Sequence, residues 1–329
     1  MPNISLSVAC GPYERTAALL DGRVRPQGID LTCLALPPYE MFWRQIQHRE
    51  FDVSELSLSA HILATSRGER ELLGIPVFPS RVFRHSYVFV RADAGIGCPG
   101  DLAGKRVGVP EYHMTAALFI RGMLSDEYGV DPRSIYWVQA GLDRPGRKER
   151  VSLDLPENLT LERNERETLV DLLFEGAIDA VAIPSVPPRL LEAPDIVRRL
   201  FPDARAVERS YFERTGIFPI MHLVVITAEV YERAPWVGQE IYKAFTAAKE
   251  IALRESVSRG AIVSSLPWFE TELEETRHLM GDDFWPYGVE PNRATLEAAV
   301  RYSAEQGLSR RPVSVEELFV PNCLETAVK

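Results

Sequence analysis

Apolar positions in this chain recur in two ways, as short β-branched runs and as longer runs at helical spacing, and over the first ninety or so residues the two alternate. Ile4–Cys10 predicts a strand and Tyr13–Leu20 a helix, with Gly22 and Pro26–Gly28 turning the chain. Ile29–Leu36 predicts a second strand, Tyr39–Gln47 a helix, Phe51–Leu58 a third strand and Ala60–Ser66 a helix closed at Gly68. Such alternation implies a parallel sheet with right-handed crossovers. Two extended runs follow, Leu72–Phe78 and Ser86–Val90, separated by the polar turn Ser80–His85. The Gly/Pro/Asp-rich stretch Asp93–Gly104 then reads as a change of lobe.

The second lobe opens with Lys105 to Gly122. Val107–Val109 is a short buried strand stopped by Pro110, and Thr115 starts an apolar helix that closes near Gly129. Ile135–Val138 predicts another strand. Gln139 to Arg166 shows no periodicity and reads as a long surface excursion. Thr168–Glu175 predicts a helix ended by Gly176, and Ala180–Ile183 a buried strand stopped by Pro184. Met221–Ile226 is expected to carry the chain back to the first lobe. Beyond Tyr231 the pattern is mostly helical: Pro235 to about Glu255, Thr271–Met280, a helix capped by Asn292 and ending at Gly307, and Val315–Phe319 behind a Ser314/Glu317 capping box. The chain is expected to cross between lobes near Val88–Asp93 and Ile217–Val225.

Composition narrows the classes. At 329 residues the chain can bury two cores, and 46% hydrophobic with 26% charged residues is ordinary for a globular protein. A net charge of −10 argues against nucleic acid as a partner, while leaving room for a small anion held by local arginines. No stretch reaches the apolar length of a membrane span. The N-terminus has no basic, apolar leader and reads as a strand, so a cytoplasmic location is expected. The four cysteines lie far apart with no CxxC pair, which favours buried free thiols over zinc or disulfides.

The candidate chemistry gathers where strands end and helices begin. Glu111, Tyr112, His113 and Thr115 occupy the loop after the Val107–Val109 strand, facing free backbone N–H groups and the positive end of a helix dipole. Arg81, Arg84 and His85 fall within five residues before a strand, and two guanidinium forks suit a dianion. Glu55, at a strand's C-terminal end, interrupts a run in which Val53, Leu56 and Leu58 alternate with serines. His222, beside the return strand, is either a cleft contact or a packing residue, and DFWPYG (Asp282–Gly288) reads as an aromatic plug with Tyr287 as its polar handle. The six histidines show no HxH or HExxH spacing, so no metal is expected, and a set built from His85, His113 and His222 has no sequence support. No GxGxxG, Walker or GxSxG motif is present, and no nucleotide cofactor is expected.

Five segments, FDVSELSLS (51–59), PVFPSRVFRHSYVFV (76–90), GKRVGVPEYHMTAA (104–117), RTGIFPIMH (214–222) and LMGDDFWPYGVEPNR (279–293), together resemble the 4,5-dihydroxyphthalate decarboxylase family. The resemblance implies an α/β, two-lobed type 2 periplasmic-binding-protein-like fold with the ligand in a cleft between lobes. It places lobe one at about 1–92 plus 222–329 and lobe two at 93–221. It also implies non-oxidative removal of one carboxyl from 4,5-dihydroxyphthalate, giving protocatechuate, without an organic cofactor. Such a site needs an acid near the ring carbon, anchors for the second carboxylate and a base for the phenol proton. Arg81 and Arg84 can anchor, His85 or His113 can donate, and Glu55 or Glu111 can accept, with Tyr112, Thr115 and His222 as further substrate contacts. His85 is the preferred donor because two arginines sit beside it. Their charges are expected to lower its pKa. The expected partner is a small aromatic carboxylate, with no nucleic acid or membrane, and a homo-oligomer remains open. The competing class is a solute-binding receptor for an aromatic or dicarboxylic acid.

Overall fold

The computed structural model describes residues 3–146, 151–257 and 264–325. Eleven strands are present among them: β1 (Ile4–Cys10), β2 (Ile29–Ala35), β3 (Val53–Ser57), β4 (Leu72–Arg81), β5 (Val88–Arg91), β6 (Arg106–Val109), β7 (Tyr136–Gly141), β8 (Leu161–Thr168), β9 (Ala180–Ala182), β10 (Val197–Arg199) and β11 (Ile220–Thr227). They form a five-stranded sheet in the order β2-β1-β3-β11-β4 and a six-stranded sheet in the order β10-β5-β9-β6-β7-β8. The chain divides into two compact units. The first comprises Met1–Arg81, His222–Leu296 and Val313–Lys329, and the second Val82–Met221 and Glu297–Pro312.

Both sheets are mixed, which corrects the expectation of a parallel one. β1 pairs in parallel with β2 and β3, but β11 runs antiparallel to β3. In the second unit β6 pairs in parallel with β7 and β9, while β5 is antiparallel to β9 and β10 to β5. That pairing moves the first crossing. Val88–Arg91 hydrogen-bonds to β9 and β10, so residues 82–92 belong to the second unit, and the division falls after Arg81. Residues 297–312 also join the second unit. There Tyr302 packs on Gly122, its hydroxyl donates to Asp126 Oδ2 at 2.6 Å, and Arg121 Nε donates to Gln306 Oε1 at 2.7 Å. The chain therefore passes between units four times, two more than the sequence suggests.

The surface excursion expected over Gln139–Arg166 contains β8, whose Leu161–Arg163 pair with Trp137–Gln139 of β7; residues 147–150 of that stretch lie outside the described residues. One short strand, β10, and three helices, Pro188–Glu192, Ala204–Thr215 and Ala228–Arg233, had no sequence signal strong enough to be read. Val315–Phe319 is one short 3-10 turn at Glu316–Leu318, although the capping bonds form: Ser314 N–H donates to Glu317 Oε1 at 3.0 Å.

Each unit has its own core. β3 is buried at every position, lying between β1 and β11. In the second unit Phe89, Val138, Leu169, Leu173, Ile178 and Val181 cluster between the sheet and the helix Leu169–Glu175. No described helix is long and apolar enough to cross a membrane, and the four cysteines are free thiols.

Candidate active site

In the first unit, strand register brings the chemistry together. Residues opposite each other on antiparallel strands share a face, as do their neighbours two positions along. Ser57 faces His222 and Glu55 faces Val224, so Glu55 and His222 are diagonal partners on one face. Their side chains meet with Glu55 Oε1 2.5 Å from His222 Nδ1. β1 runs parallel beside β3, with Ala9 level with Ser54, which puts the turn after Cys10 at Glu55. Gly11 N–H donates to Glu55 Oε2 at 2.8 Å, and Tyr13 O–H donates to Oε1 at 2.7 Å. A Cβ at Gly11 would sit 2.5 Å from the Tyr13 ring, so any larger residue there would displace Tyr13 from Glu55.

Glu55 is fully buried. Burial alone would push its carboxyl up, but His222, the Gly11 N–H and the Tyr13 O–H more than reverse this, and it stays below the usual carboxylate range. The bond to Nδ1 fixes the ring's orientation and leaves Nε2 outside that pair. His222 meets the Phe42 ring edge-on at 4.8 Å, and its side chain is 18% exposed.

One residue of this region, Arg15, carries no sequence signal. Arg15 lies with its guanidinium carbon 4.3 Å from the Tyr13 ring centroid and 3.9 Å from that of Trp285, and its Nε donates to Pro79 O at 2.6 Å. Trp285 is itself fixed, since its Nε1 donates to Phe78 O at 2.9 Å and Lys249 Nζ donates to its carbonyl at 3.2 Å. The segment read as an aromatic plug thus also supplies a wall for Arg15. Arg81 is nearly fully buried and braces the same segment, donating from Nη2 to Pro286 O at 2.7 Å and to Asn292 Oδ1. Burial pushes its guanidinium down to about 9.

The second unit holds the remaining candidates, all buried. Glu111 Oε2 and His113 Nε2 are 3.6 Å apart on the loop after β6. Tyr112 between them stacks on Arg121, with the guanidinium carbon 3.7 Å from its ring centroid and Arg121 Nη2 donating to its carbonyl at 2.7 Å. Thr115 is the first residue of the helix Thr115–Tyr128. Arg84 donates to Pro184 O at 3.0 Å and to Met221 Sδ at 2.6 Å and 3.2 Å, and burial pushes it down to about 10. His85 is expected to have its pKa lowered by the two arginines, and it is lowered, but by other causes. It packs edge-on against Phe201 at 5.1 Å and Tyr211 at 5.2 Å, and neither ring nitrogen has a hydrogen-bond partner among the described residues. Burial, and secondarily Arg214, push it down to about 4.

Among the described residues, no group of three or more His, Cys, Asp or Glu side chains is placed to hold a metal ion.

No protein-family model matches the chain. Among solved structures it is similar to the alkanesulfonate-binding protein SsuA of Xanthomonas axonopodis pv. citri, bound to MOPS (TM-score 0.56, 14% identity, 97% of this chain and 99% of that one). It is similar also to the aliphatic sulphonate binding protein SsuA of Escherichia coli (TM-score 0.55, 14% identity, 99% and 100%). At that identity the likeness carries the fold alone, and with the two mixed α/β units it defines a type 2 periplasmic-binding-protein-like fold. Sequence relatives are more specific. A 4,5-dihydroxyphthalate decarboxylase of Comamonas testosteroni is 39% identical over 327 residues, covering 99% of each chain. One of Pseudomonas putida is 37% identical over 213 residues, 64% of this chain and 83% of that protein. The chain belongs to the 4,5-dihydroxyphthalate decarboxylase family.

Proposed function

We propose that the protein is a carboxy-lyase that converts 4,5-dihydroxyphthalate to protocatechuate and CO2, with His222 delivering the proton and Glu55 holding it in place. Family membership supports the activity, and the observation that carries the assignment is the buried Glu55 carboxylate aligned on His222 Nδ1. In the reaction, the hydroxyl para to the departing carboxylate pushes electron density to the carbon that carries it. A proton from His222 Nε2 forms the new C–H bond, the bond to the carboxylate carbon breaks, and CO2 leaves as the ring regains aromaticity. Net, one proton is consumed and one CO2 released, so the chemistry asks for no redox partner. The ionised Glu55, held by three donors, keeps the imidazole oriented through the cycle.

In this proposal Glu55, read from the sequence as a proton acceptor, and His222, read as a substrate contact, are the proton-handling pair, and His85 is a packing residue. Glu111 and His113 form the other carboxylate–imidazole pair and are the alternative donor; Arg84, Tyr112 and Thr115 stay with the proposal as substrate contacts. A cytoplasmic location is part of the proposal, in keeping with the four free thiols.

The test is to incubate purified protein with 4,5-dihydroxyphthalate and follow CO2 and protocatechuate. His222→Gln should lower kcat by about 10²- to 10⁴-fold while keeping product binding. Normal turnover by His222→Gln with loss in His113→Gln would transfer the role to the second unit's pair. Tight binding of the substrate without CO2 release by the wild type would favour a receptor instead.

A further inference from the structure

We propose that Arg15, held against the Tyr13 and Trp285 rings, is the anchor for the carboxylate that the substrate keeps, with the Tyr287 hydroxyl as second donor. The inference rests on the decarboxylase reading above and adds the feature that selects a dicarboxylate. Arg15 sits in the first turn of the helix Glu14–Leu20, half-buried. A guanidinium presents five N–H donors. Here Nε is used by Pro79 O at 2.6 Å, and the guanidinium carbon lies over two aromatic rings, 4.3 Å from the Tyr13 centroid and 3.9 Å from that of Trp285. The Nη edge is left, and no described carboxylate forms an ion pair with it. That edge is the fork that receives an oxyanion bidentately. Packing on two rings and the bond at Nε remove in advance much of the side-chain entropy that binding would otherwise cost.

Tyr287 supplies an independent sign of a missing ligand. It is 5% exposed, its hydroxyl has no hydrogen-bond partner among the described residues, and the charges of Arg15 and Arg81 both act on it. A buried hydroxyl left unpaired is costly, and a carboxylate oxygen would satisfy it. Tyr13 links this anchor to the proton-handling pair, because its ring stacks on Arg15 while its hydroxyl donates to Glu55 at 2.7 Å.

The chemistry says which carboxylate Arg15 should take. The leaving group must give up its negative charge to the ring as CO2 forms, and a guanidinium bound to it would stabilise the ground state against that step. The fork therefore serves the carboxylate that stays.

Protocatechuate retains that carboxylate, and catechol has none. Calorimetry with both ligands on wild type, Arg15→Met, Arg15→Lys and Tyr287→Phe therefore tests the anchor without turnover. Arg15→Met should weaken protocatechuate binding by about 10- to 100-fold, as expected for a lost charge-assisted pair. Catechol binding should change by less than about threefold, because nothing it offers depends on the fork. Arg15→Lys should fall between, and Tyr287→Phe should weaken protocatechuate alone. If Arg15→Met fails to fold, the last two variants carry the comparison. Loss of both ligands in equal measure, or protocatechuate binding within threefold of wild type, overturns the anchor. A wild type that releases CO2 while the variants bind normally overturns the anchor alone. A wild type without CO2 release overturns the activity reading itself.

Discussion

Glu55 is a carboxylate in the middle of a buried strand, where an unpaired charge would be costly, and its three donors explain why it stays ionised. The donors come from two distant places in the chain: Gly11 and Tyr13 lie 44 and 42 residues away, and His222 lies 167 away. Glu55 could be picked out from the sequence because it interrupts a strand, and His222 because it is a polar residue beside one. That they act on one another could not, since the pairing depends on β11 running antiparallel to β3. Tyr13 and Arg15 were invisible for a related reason, because they look like the opening of an ordinary helix. Tyr13→Phe should expose the logic. It removes a donor to the charged form of Glu55, so that carboxyl should titrate at higher pH, and the acid limb of the pH–rate profile should move up. We expect kcat/KM near neutrality to drop on the order of tenfold, the lower part of the range for a hydrogen bond to a charged group. An unmoved acid limb would mean that Tyr13 does not stabilise the ionised Glu55.

At the scale of elements, legibility followed burial. Strands such as β3 and β11, and the helix Thr115–Tyr128, declare themselves because most of their residues are buried. β8 is mostly exposed at the edge of its sheet, and the helix Ala204–Thr215 buries only Tyr211, so neither leaves an apolar pattern to read. The join between residues 297–312 and the second unit was hidden for another reason. It depends on a close approach of two helices, which needs a glycine rather than a stripe of large side chains. A Cβ at Gly122 would lie 2.3–2.5 Å from the Tyr302 ring, too near for any real contact. Tyr302 has little freedom to move, since its hydroxyl is held by Asp126 at 2.6 Å and Asp126 is paired with Arg301 at 2.5 Å. Gly122→Ala would normally strengthen a helix by ~1 kcal/mol. Here the overpacking should win and leave the protein less stable by about 1–3 kcal/mol, measured by urea unfolding. A more stable variant would show that the two helices can part at no cost.

For the whole molecule, stability in acid is set by groups that both units bury in neutral form. His61, in the first unit, has its Nε2 2.8 Å from Leu318 O, and burial pushes it down to about 4. His85, in the second, sits among aromatic rings and is also pushed down to about 4. The unfolded chain takes up these protons near pH 6.5, whereas the folded chain resists until about 4. The unfolded state therefore binds more protons across that window, and stability is complete above it and lost as pH falls from 6.5 towards 4. Each histidine accounts for roughly 3 kcal/mol of that loss. Glu55, held below its ordinary range, adds a further loss at still lower pH. His85→Phe isolates one contribution, because the ring contacts with Phe201 and Tyr211 can persist and no hydrogen bond is broken. At pH 7.5 the variant should match wild type within about 1.5 kcal/mol, as for a core swap of similar volume. At pH 4.5 it should be the more stable by roughly 2 kcal/mol, so that its stability falls less steeply between the two. Urea unfolding at both values decides it: equal slopes for the two proteins would mean that His85 takes up its proton in the folded state as readily as in the unfolded one.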